Sequence, residues 1–390
     1  MRRVTRQRVV HGAAKRATVA LALAIGAVAR VAASRRRRRG EKPRILRGPV
    51  PIISIHYAAR AERLHGYRSD TLVYRTYGTH TEGLFDRDLG RLIGLPVVGN
   101  LVPYATFLWA LWRYDVFVYF FDGGLLGETP AWRIELPLLR RTSKKVVAYP
   151  YGADSRLPSR TRAIEGWHAY SEILPGREDT DEAHVAERLA EFGRWADVIL
   201  GCADLVEDLP RLDGIFHLPI DVEEWQPSAP PPGDVVRVVH APNHPHYKGT
   251  RHIVDAVDRL RAEGSPVELS LVQGVPVDET RELYRRAHVV VDQLLIGAYG
   301  QFAIEGMALG RPVVCFLNPR FAPHHPEWAE APIVSATPDT IVEELRRLVT
   351  DAQLREDLGA RGPEYVRRYH SLHAVGARMT ALYERLWSAN

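Results

Sequence analysis

Past residue 48 the chain alternates short, continuous apolar runs with longer amphipathic segments. The runs DVFVYFF (Asp115–Phe121) and KKVVAYPYG (Lys144–Gly152) have the length and composition of strands buried on both faces of a parallel sheet. VPIISIH (Val50–His56) predicts another strand, followed by a helical stretch that runs through Leu64. DEAHVAERLAEFGRWA (Asp181–Ala196) has helical spacing and leads into the strand DVILGC. This alternation is typical of an α/β domain.

The segment QPSAPPPGD (Gln226–Asp234) predicts a boundary, because three consecutive prolines continue neither a helix nor a central strand. Behind it the alternation restarts. The predicted strands are VVRVVHAP, VELSLVQG, HVVVDQLL and PVVCF, and the predicted helices are GTRHIVDAVDRLRAEG, DETRELYRRA and QFAIEGMALG. The closing segment SLHAVGARMTALYERLW predicts one more amphipathic helix, able to pack back across the domain junction.

The predicted fold class is therefore α/β, with two doubly wound Rossmann-like domains that face each other across a central cleft. Ligands of open parallel sheets sit at the carboxyl ends of the strands, so the candidate site should follow strands of the second domain. The predicted organisation is a leader at 1–47, an N-terminal domain at 48–225, a Pro-rich linker at 226–234, a C-terminal domain at 235–370 and a closing helix at 371–390.

Charge is segregated along the chain. Residues 1–47 hold fifteen Lys and Arg side chains and one acid, Glu41, whereas the remainder carries 37 basic and 46 acidic residues, a net charge of −9. The overall formal charge of +5 therefore comes from the leader, and the body gives no reason to expect a nucleic-acid partner. Two distant cysteines, Cys202 and Cys315, predict a reduced, cytoplasmic protein without a disulfide framework.

The leader combines a basic start, an apolar run from Ala17 to Ala29 and five consecutive arginines at Arg35–Arg39. The thirteen residues of that run are fewer than the ~20 that span a bilayer as a helix. Ala27-Val28-Ala29 is typical of a signal-peptide cleavage site, but the arginines behind it oppose export. We expect a peripheral tether on an anionic membrane at the cytoplasmic face, and the alternative is a disordered, solvated arm.

Lys248 is the first candidate ligand-binding residue. It follows the strand VRVVHAP and a loop rich in His and Pro, and Gly249 and Thr250 open a helix directly behind it. At such a junction a lysine and the free N–H groups of the helix start can hold an anion together. The alternative is an ordinary solvated lysine.

Glu305 is the second candidate. It lies about one turn inside a helix that begins at Gln301 or Phe302, behind the turn GAYG, whose glycines let the backbone approach a ligand closely. A carboxylate at this place suits two neighbouring hydroxyl groups, such as those of a ribose. The alternative is that Glu305 pairs with Arg311 or another basic group.

Lys-Gly-Thr at 248–250, followed by YGQFAIEGMALGRPVV at 299–314, resembles the nucleotide-binding half of retaining glycosyltransferases with two Rossmann domains, the GT-B family that includes glycogen synthase and many bacterial mannosyltransferases. The resemblance covers about 140 residues, from Val235 to roughly Tyr369. In the first domain, HLPIDVEEW (His217–Trp225) and VVAYPYGADSR (Val146–Arg156) resemble that family more weakly. The combination of motifs is specific, although each piece alone is weak.

The resemblance implies that the donor is a nucleoside-diphosphate sugar and that neither a metal nor another cofactor is needed. Lys248 would contact the diphosphate, the amides around Gly300–Phe302 would hold its distal phosphate, and Glu305 would bind the ribose. In that family the anomeric configuration is retained, and the leaving phosphate accepts the proton of the acceptor. The protein then contributes positioning and stabilisation of the departing charge.

The departures from the family concern groups that contact the sugar ring. A second glutamate often stands eight residues before the ribose glutamate, where this chain has Gly297, and an arginine often stands five residues before the lysine, where it has Asn243. In the first domain many members place a histidine after a strand, where this chain has Phe121 or Tyr151. We predict that other residues contact the sugar, and the candidates are Asp292, Tyr299 and Asp154.

Three further motifs have simpler explanations. DRD (Asp86–Asp88) and DTD (Asp179–Asp181) match the spacing of metal-dependent glycosyltransferases of another fold, but neither follows a strongly apolar strand, so we expect helix caps or solvated acids. HAPNHPH places His240, His244 and His246 close together. Its prolines disrupt any regular metal-ligand spacing, so we expect a loop that lines the phosphate site, with a histidine adding positive charge.

The sequence thus predicts a metal-independent glycosyltransferase at the cytoplasmic membrane face that acts on a surface-glycan or lipid-linked acceptor. One alternative is a sugar-nucleotide epimerase or hydrolase on the same frame, and another is a non-catalytic protein that keeps the nucleotide pocket. A nicotinamide oxidoreductase is disfavoured, since no glycine-rich dinucleotide fingerprint follows a strand in either domain.

Overall fold

The computed structural model describes residues 2–76, 83–96, 98–178, 180–229, 232–275 and 277–388. Two predicted features fall in part outside these residues: Pro230 and Pro231 of the linker and Asp179 of the DTD motif. The chain forms two compact units. Unit 1 comprises Met1–Ser155, Glu182–Phe216 and Val375–Asn390, and unit 2 comprises Arg156–Asp181 and His217–Ala374.

Each unit is built on a parallel sheet, which confirms the predicted α/β class. The described strands of unit 1 pair in the order β3-β2-β1-β4-β5-β6-β7. They are β1 (Arg44–Arg47), β2 (Arg68–Val73), β3 (Arg87–Asp88), β4 (Val116–Tyr119), β5 (Lys145–Ala148), β6 (Val198–Gly201) and β7 (Gly214–Ile215). The described strands of unit 2 pair in the order β12-β11-β10-β8-β9. They are β8 (Val236–His240), β9 (Val267–Leu271), β10 (Val289–Val291), β11 (Val313–Val314) and β12 (Ile333–Val334).

Most of the helices lie between consecutive strands, where they form the crossover connections that parallel pairing requires. They are α1 (Arg2–Arg38), α2 (Ile53–Leu64), α3 (Gly90–Ile93), α4 (Val102–Arg113), α5 (Trp132–Arg141), α6 (Pro158–Thr161), α7 (Glu182–Trp195), α8 (Pro245–Lys248), α9 (Thr250–Ala262), α10 (Val277–Arg285), α11 (Gln301–Ala308), α12 (Ile341–Thr350), α13 (Ala352–Tyr369) and α14 (Leu372–Ser388). Short 3₁₀ turns lie at Val98–Asn100, Ala322–His324 and Pro326–Glu330.

The continuous apolar runs are the central strands. All four residues of β4 are buried, and so are all three valines of β10, because helices and loops cover both faces of a parallel sheet. These strands, together with β5, β6, β8, β9 and β11, confirm the predictions made from their sequences. The predicted helices α7, α9, α10, α11 and α14 are confirmed as well.

The strand predicted at Val50–His56 is wrong. The first strand is β1 (Arg44–Arg47), and the predicted strand residues straddle the start of α2, which begins at Ile53. Pro49 and Pro51 cannot donate to a sheet ladder, so the apolar run behind them continues with helical rather than alternating burial. The predicted helical stretch through Leu64 is confirmed, since α2 ends there.

The segment Arg156–Asp181 belongs to unit 2, although the sequence boundary at 226 assigned it to the first domain. Contacts with residues distant in sequence hold this segment in unit 2. Glu172 pairs with His252 at 2.7 Å between Oε1 and Nε2, and the Trp167 indole N–H donates to Asp339 at 2.6 Å. Such pairings between distant residues leave no mark in the local apolar pattern.

The leader is a helix instead of a disordered arm. Helix α1 extends from Arg2 to Arg38 and packs against α4 and α5, and the Arg36 guanidinium donates to the carboxylate of Asp115. By length and composition the segment Gly12–Arg38 meets the criterion for crossing a membrane, since an 18-residue window within it has a mean hydropathy of 1.8. This differs from the thirteen-residue estimate because the helix continues past Ala29. A core helix or a signal sequence meets the same criterion.

A buried ion pair joins the start of unit 1 to its C-terminal helix. The side chains of Arg47 and Glu62 are 0% exposed, and Arg47 Nη2 donates to Glu62 Oε1 at 2.6 Å. Ser69 donates to Glu62 Oε2 at 2.6 Å, and the Tyr383 hydroxyl on α14 donates to Oε1, which Arg47 also contacts. Two buried charges are tolerated here because nearly every lone pair and proton has a partner.

Glu62→Ala should lower the free energy of unfolding by about 3–5 kcal/mol, because it leaves the Arg47 charge buried without its partner. Urea unfolding followed by tryptophan fluorescence measures the loss. Glu384→Ala is the matched control, since Glu384 is exposed on the same helix as Tyr383 and should cost less than about 0.5 kcal/mol. Equal losses for the two variants would contradict this account of the ion pair.

Candidate functional site

The candidate site lies within unit 2, where two neighbouring strands end. Strands β8 and β10 pair in parallel, with Val239 opposite Val290. Their carboxyl ends therefore meet at one edge of the sheet, which is where open α/β sheets bind ligands. The loop behind β8 leads to Lys248, and Asp292 follows β10 directly. The prediction that the motifs of the second domain follow strands is correct.

Lys248 is the last residue of the short helix α8. Gly249 follows it with a φ of +72°, a left-handed conformation that favours glycine, and α9 begins at Thr250. A side chain on Gly249 would also place its Cβ 3.2 Å from the Cγ of Leu295. The glycine therefore lets the lysine loop lie on the 292–295 segment, where the Leu294 amide donates to the Lys248 carbonyl at 3.0 Å.

Asp292 connects the two motifs that the sequence singled out. Its side chain is fully buried, and its Oδ1 accepts from Lys248 Nζ at 2.9 Å. Its Oδ2 accepts from the backbone N–H of Gly300 at 2.8 Å. One carboxylate therefore orients the lysine and fixes the residue from which α11 starts. Both bonds are charge-assisted, and they offset the cost of burying the carboxylate.

The start of α11 presents hydrogen-bond donors. Gly300 is the N-cap residue and provides no side-chain cap, so the first-turn amides of the helix at Gln301 and Phe302 are directed toward the loop. The Gln301 side-chain oxygen and nitrogen are buried, and the side chain interacts with the carboxyl group of Glu305. The Phe302 ring packs on Tyr284, with ring centroids 4.6 Å apart. This helix start has the geometry of an anion-binding site, with a polar side chain beside it.

Glu305 lies one turn further along α11 and is partly exposed. Desolvation, and then the charge of Asp292, raise the pKa of its carboxyl group to about 8, although Gln301, Arg281 and Lys248 oppose the shift. These causes place Glu305 in one electrostatic cluster with Lys248 and Asp292. The alternative pairing with Arg311 is not observed, since that guanidinium donates instead to Ser228, Ala229 and Arg285.

Gly297 explains one departure from the glycosyltransferase family. Its φ is +87°, and a Cβ at this position would lie 2.9 Å from the Cβ of Asn318 and 3.3 Å from the ring of Phe321. Its carbonyl also accepts from the Asn318 amide at 2.9 Å. The backbone therefore uses Gly297 as a tight turn, and a glutamate does not fit this conformation.

Tyr299, a predicted sugar contact, is engaged in a buried network. Its hydroxyl lies 2.9 Å from the Tyr365 hydroxyl and 2.9 Å from His370 Nε2. His370 Nδ1 in turn lies 2.9 Å from the Leu218 carbonyl. These contacts connect the turn before α11 to α13 and to the segment at 217–220. These partners were not predicted, because they lie about 70 residues from Tyr299.

The remaining predicted residues lie in different places. Asn243 is exposed in the loop behind β8, and the Thr250 hydroxyl lies 2.9 Å from His240 Nε2. Burial lowers the pKa of His240 to about 4, so this histidine is neutral and adds no positive charge. Asp154 belongs to unit 1, where it accepts from the amides of Phe121, Tyr151 and Gly152. Burial, and then the charge of Asp122, raise the Asp154 pKa to about 7.

Two residues of α10 were missed by the sequence reasoning. Arg281 lowers the pKa of Glu305, and Glu305 raises the pKa of Tyr284. Their spacing of three residues puts both on one face of α10. A charged and an aromatic residue at this spacing, on the helix between two sheet strands, was the available signal.

The chain matches no protein-family model and no curated protein sequence. Its fold is similar to solved structures. Sucrose-phosphate synthase from Thermosynechococcus elongatus gives a TM-score of 0.58 at 14% identity, over 90% of this chain and 100% of that one. HepE from Anabaena, in complex with UDP-glucose, gives 0.56 at 11% identity, over 87% and 99%. A Listeria monocytogenes protein, provisionally assigned as a UDP-N-acetylglucosamine 2-epimerase, gives 0.53 at 11% identity, over 90% and 98%.

These similarities, together with the two parallel sheets, show that the chain shares the fold of these solved structures, with two Rossmann-like domains. Two Rossmann-like domains were predicted from the alternation of strands and helices, and the prediction is confirmed. At such low identity the similarity concerns the fold, so the activity has to be argued from the residues of the site.

Replacing Gly297 tests the turn at this position. Gly264 has the same φ of +87° but open space around its Cβ position, so it is a matched control. Gly264→Ala should cost about 1–2 kcal/mol through backbone strain alone. Gly297→Ala should cost at least about 1 kcal/mol more, because its methyl group also collides with Asn318. Urea titrations of both variants measure the difference, and equal costs would show that the neighbours of Gly297 yield freely.

The raised pKa of Glu305 predicts a pH-dependent stability. A carboxyl group with a pKa of about 8 in the folded state and 4.5 when unfolded stays protonated up to a higher pH in the folded state. This group therefore lowers stability as the pH rises from about 4.5 to about 8.

Glu305→Gln removes that titration, so its stability relative to the wild type should increase between those two pH values. Urea unfolding at both ends of the range measures the change, with Glu343→Gln on the surface as the control. A wild-type-to-variant difference that is independent of pH would contradict the raised pKa.

Proposed function

We propose that this protein is a glycosyltransferase that transfers a sugar from a nucleoside-diphosphate sugar to a surface-glycan or lipid-linked acceptor, with retention of configuration. The single observation that carries the proposal is the junction at Asp292, which holds Lys248 and the Gly300 amide on one carboxylate. A cation and a helix start held this close together form a diphosphate site.

The donor would be bound by three groups of unit 2. Lys248 Nζ and the amides at the start of α11 would contact the diphosphate, whose negative charge both attract. Glu305 would accept hydrogen bonds from the two ribose hydroxyl groups. Hydrogen bonds from these hydroxyl groups favour the ionised carboxylate. Binding of the sugar nucleotide should therefore release the proton that desolvation keeps on Glu305. Gln301, whose side chain interacts with Glu305, would add one more contact.

In the transfer step the bond between the anomeric carbon and the distal phosphate oxygen breaks, and its electron pair stays on the diphosphate. A new bond forms between the anomeric carbon and the acceptor oxygen on the same face of the sugar. The acceptor proton moves to the departing phosphate. Lys248 and the α11 amides stabilise the developing charge without themselves exchanging protons. No metal ion takes part in the proposal, so EDTA should leave transfer unaffected.

A second function has support from one structural relative. The similarity to the Listeria protein favours a sugar-nucleotide epimerase, which shares the fold and the need to bind a nucleoside diphosphate. A sugar-nucleotide hydrolase with this fold would likewise have to bind a nucleoside diphosphate. Either activity consumes or converts the donor when no acceptor is present, whereas a transferase requires one. A third possibility, a protein that binds the donor without turning it over, is separated by the same assay.

Donor binding is tested by thermal unfolding in the presence of UDP- and GDP-sugars. At about 100 times its Kd, a bound donor should stabilise the wild type by about 2.7 kcal/mol, which raises the melting temperature by several degrees. Lys248→Ala and Glu305→Ala should each remove most of that rise, since each loses charge-assisted hydrogen bonds that contribute roughly 1.5–3 kcal/mol.

The controls are Lys42→Ala in unit 1 and Glu343→Ala on the surface of α12, which should keep the full rise. An unchanged melting temperature of the wild type with every sugar nucleotide would contradict the proposal. A rise that survives both Lys248→Ala and Glu305→Ala would place the nucleotide elsewhere.

A further inference from the structure

Helix α1 buries several of its small residues and exposes four of its large apolar residues. Thr18, Ala22, Gly26 and Ala29 recur every three or four positions and are buried, and Gly26 lies directly against Thr142, the residue after α5. Four large apolar side chains of the same stretch are exposed: Leu21 by 51%, Leu23 by 42%, Val28 by 56% and Val31 by 53%, whereas Val19 and Ile25 are half-buried. A helix that packs on a soluble protein normally buries its large apolar residues and exposes its polar ones.

More exposed apolar side chains precede α4, the helix on which α1 packs. Leu92, Leu95, Val98 and Leu101 are between 42% and 52% exposed, and Trp112 near the end of α4 is 55% exposed. We call these five residues, together with Leu21, Leu23, Val28 and Val31, the apolar face of unit 1. Nine large apolar side chains left exposed on two helices that pack together and on the segment between them are more than a protein surface needs, and such clusters mark interaction sites.

The charge around the apolar face is positive. Lys15 and Arg16 are exposed at one end of the apolar stretch of α1, and Arg35, Arg38 and Arg39 are exposed at the other. The sequence has no acidic residue before Glu41, and none from Leu89 to Arg113, the segment that supplies the rest of the apolar face. An apolar surface bordered by arginines complements the boundary between acyl chains and anionic headgroups.

We propose that the apolar face of unit 1 docks on an anionic lipid bilayer, with α1 lying in the plane of the interface. The leucines and valines would enter the acyl boundary, the arginines would contact phosphate groups, and Trp112 would lie at headgroup depth, where tryptophan is enriched. The occupant is a membrane rather than a protein, because the exposed polar groups around the face are cations at both ends of the helix.

The contacts of α1 with unit 1 favour docking over spanning. A spanning helix is surrounded by lipid or by other spanning helices, whereas the inner face of α1 is fixed to a domain with charged partners. The Arg36 guanidinium donates to Asp115, and the Arg37 guanidinium lies 4.2 Å from the Trp387 ring centroid. Pulling α1 into the bilayer core would break these contacts and leave the buried Asp115 with fewer partners.

The test is flotation of the full-length protein with vesicles of phosphatidylcholine, with and without phosphatidylglycerol. The wild type should float with the anionic vesicles, and raising the NaCl concentration should weaken the association. The triple variant Leu21→Ser/Val28→Ser/Val31→Ser should bind at least about tenfold more weakly, because each substitution removes apolar area that lipid would bury. Replacing Arg35, Arg38 and Arg39 with Gln should weaken binding to anionic vesicles by a similar or larger factor.

The matched control is Leu174→Ser/Leu271→Ser, which removes two exposed leucines of unit 2 and should bind as the wild type does. All substituted side chains are exposed, so the circular dichroism spectra should stay unchanged. Absence of flotation with anionic vesicles would overturn the proposal, and so would equal binding of the wild type and the Leu21 triple variant. Self-association in the absence of vesicles that the triple variant abolishes would assign the face to a second copy of the chain instead. None of these outcomes depends on the donor site.

Discussion

The site depends on a single buried charge, the carboxylate of Asp292 at the end of an all-valine strand. Burying an isolated carboxylate is costly, and this one is stable because Lys248 and the Gly300 amide each take one of its oxygens. The same two bonds hold the lysine loop and the start of α11 against each other. Lys248 is therefore positioned by the protein itself and would not have to be ordered by a donor bound as proposed, which favours affinity.

The sugar side of the site follows from the same turn. Gly297 has a left-handed backbone, so the position cannot also carry the glutamate that the resemblance to the glycosyltransferase family would lead one to expect. Tyr299 lies between these glycines, and its hydroxyl is bound to Tyr365 and His370, which makes it part of the frame of the loop. Gln301, whose side chain interacts with Glu305 at the start of α11, is a further candidate for a sugar contact.

Much of the fold could be predicted from the sequence because parallel strands are continuous apolar runs, as in β4 and β10. Local pattern failed where tertiary contacts decide. The segment Arg156–Asp181 joins unit 2 through ion pairs with residues about 80 positions away, and α1 turns its leucines outward, a choice that hydropathy alone does not reveal. The places of Lys248 and Glu305 behind strands were predictable from the sequence. The role of Asp292 was not, because its partner lies 44 residues earlier in the chain.

The central claim is that Asp292 organises a diphosphate site. The most direct measurement is calorimetric titration with a nucleoside diphosphate and with the matching monophosphate, on the wild type and on Asp292→Asn, with melting curves to verify folding. The wild type should bind the diphosphate more tightly, and the account predicts that Asp292→Asn reduces this preference by about tenfold or more, since Lys248 loses its charged partner. If the folded variant keeps the full preference for the diphosphate, the account is contradicted.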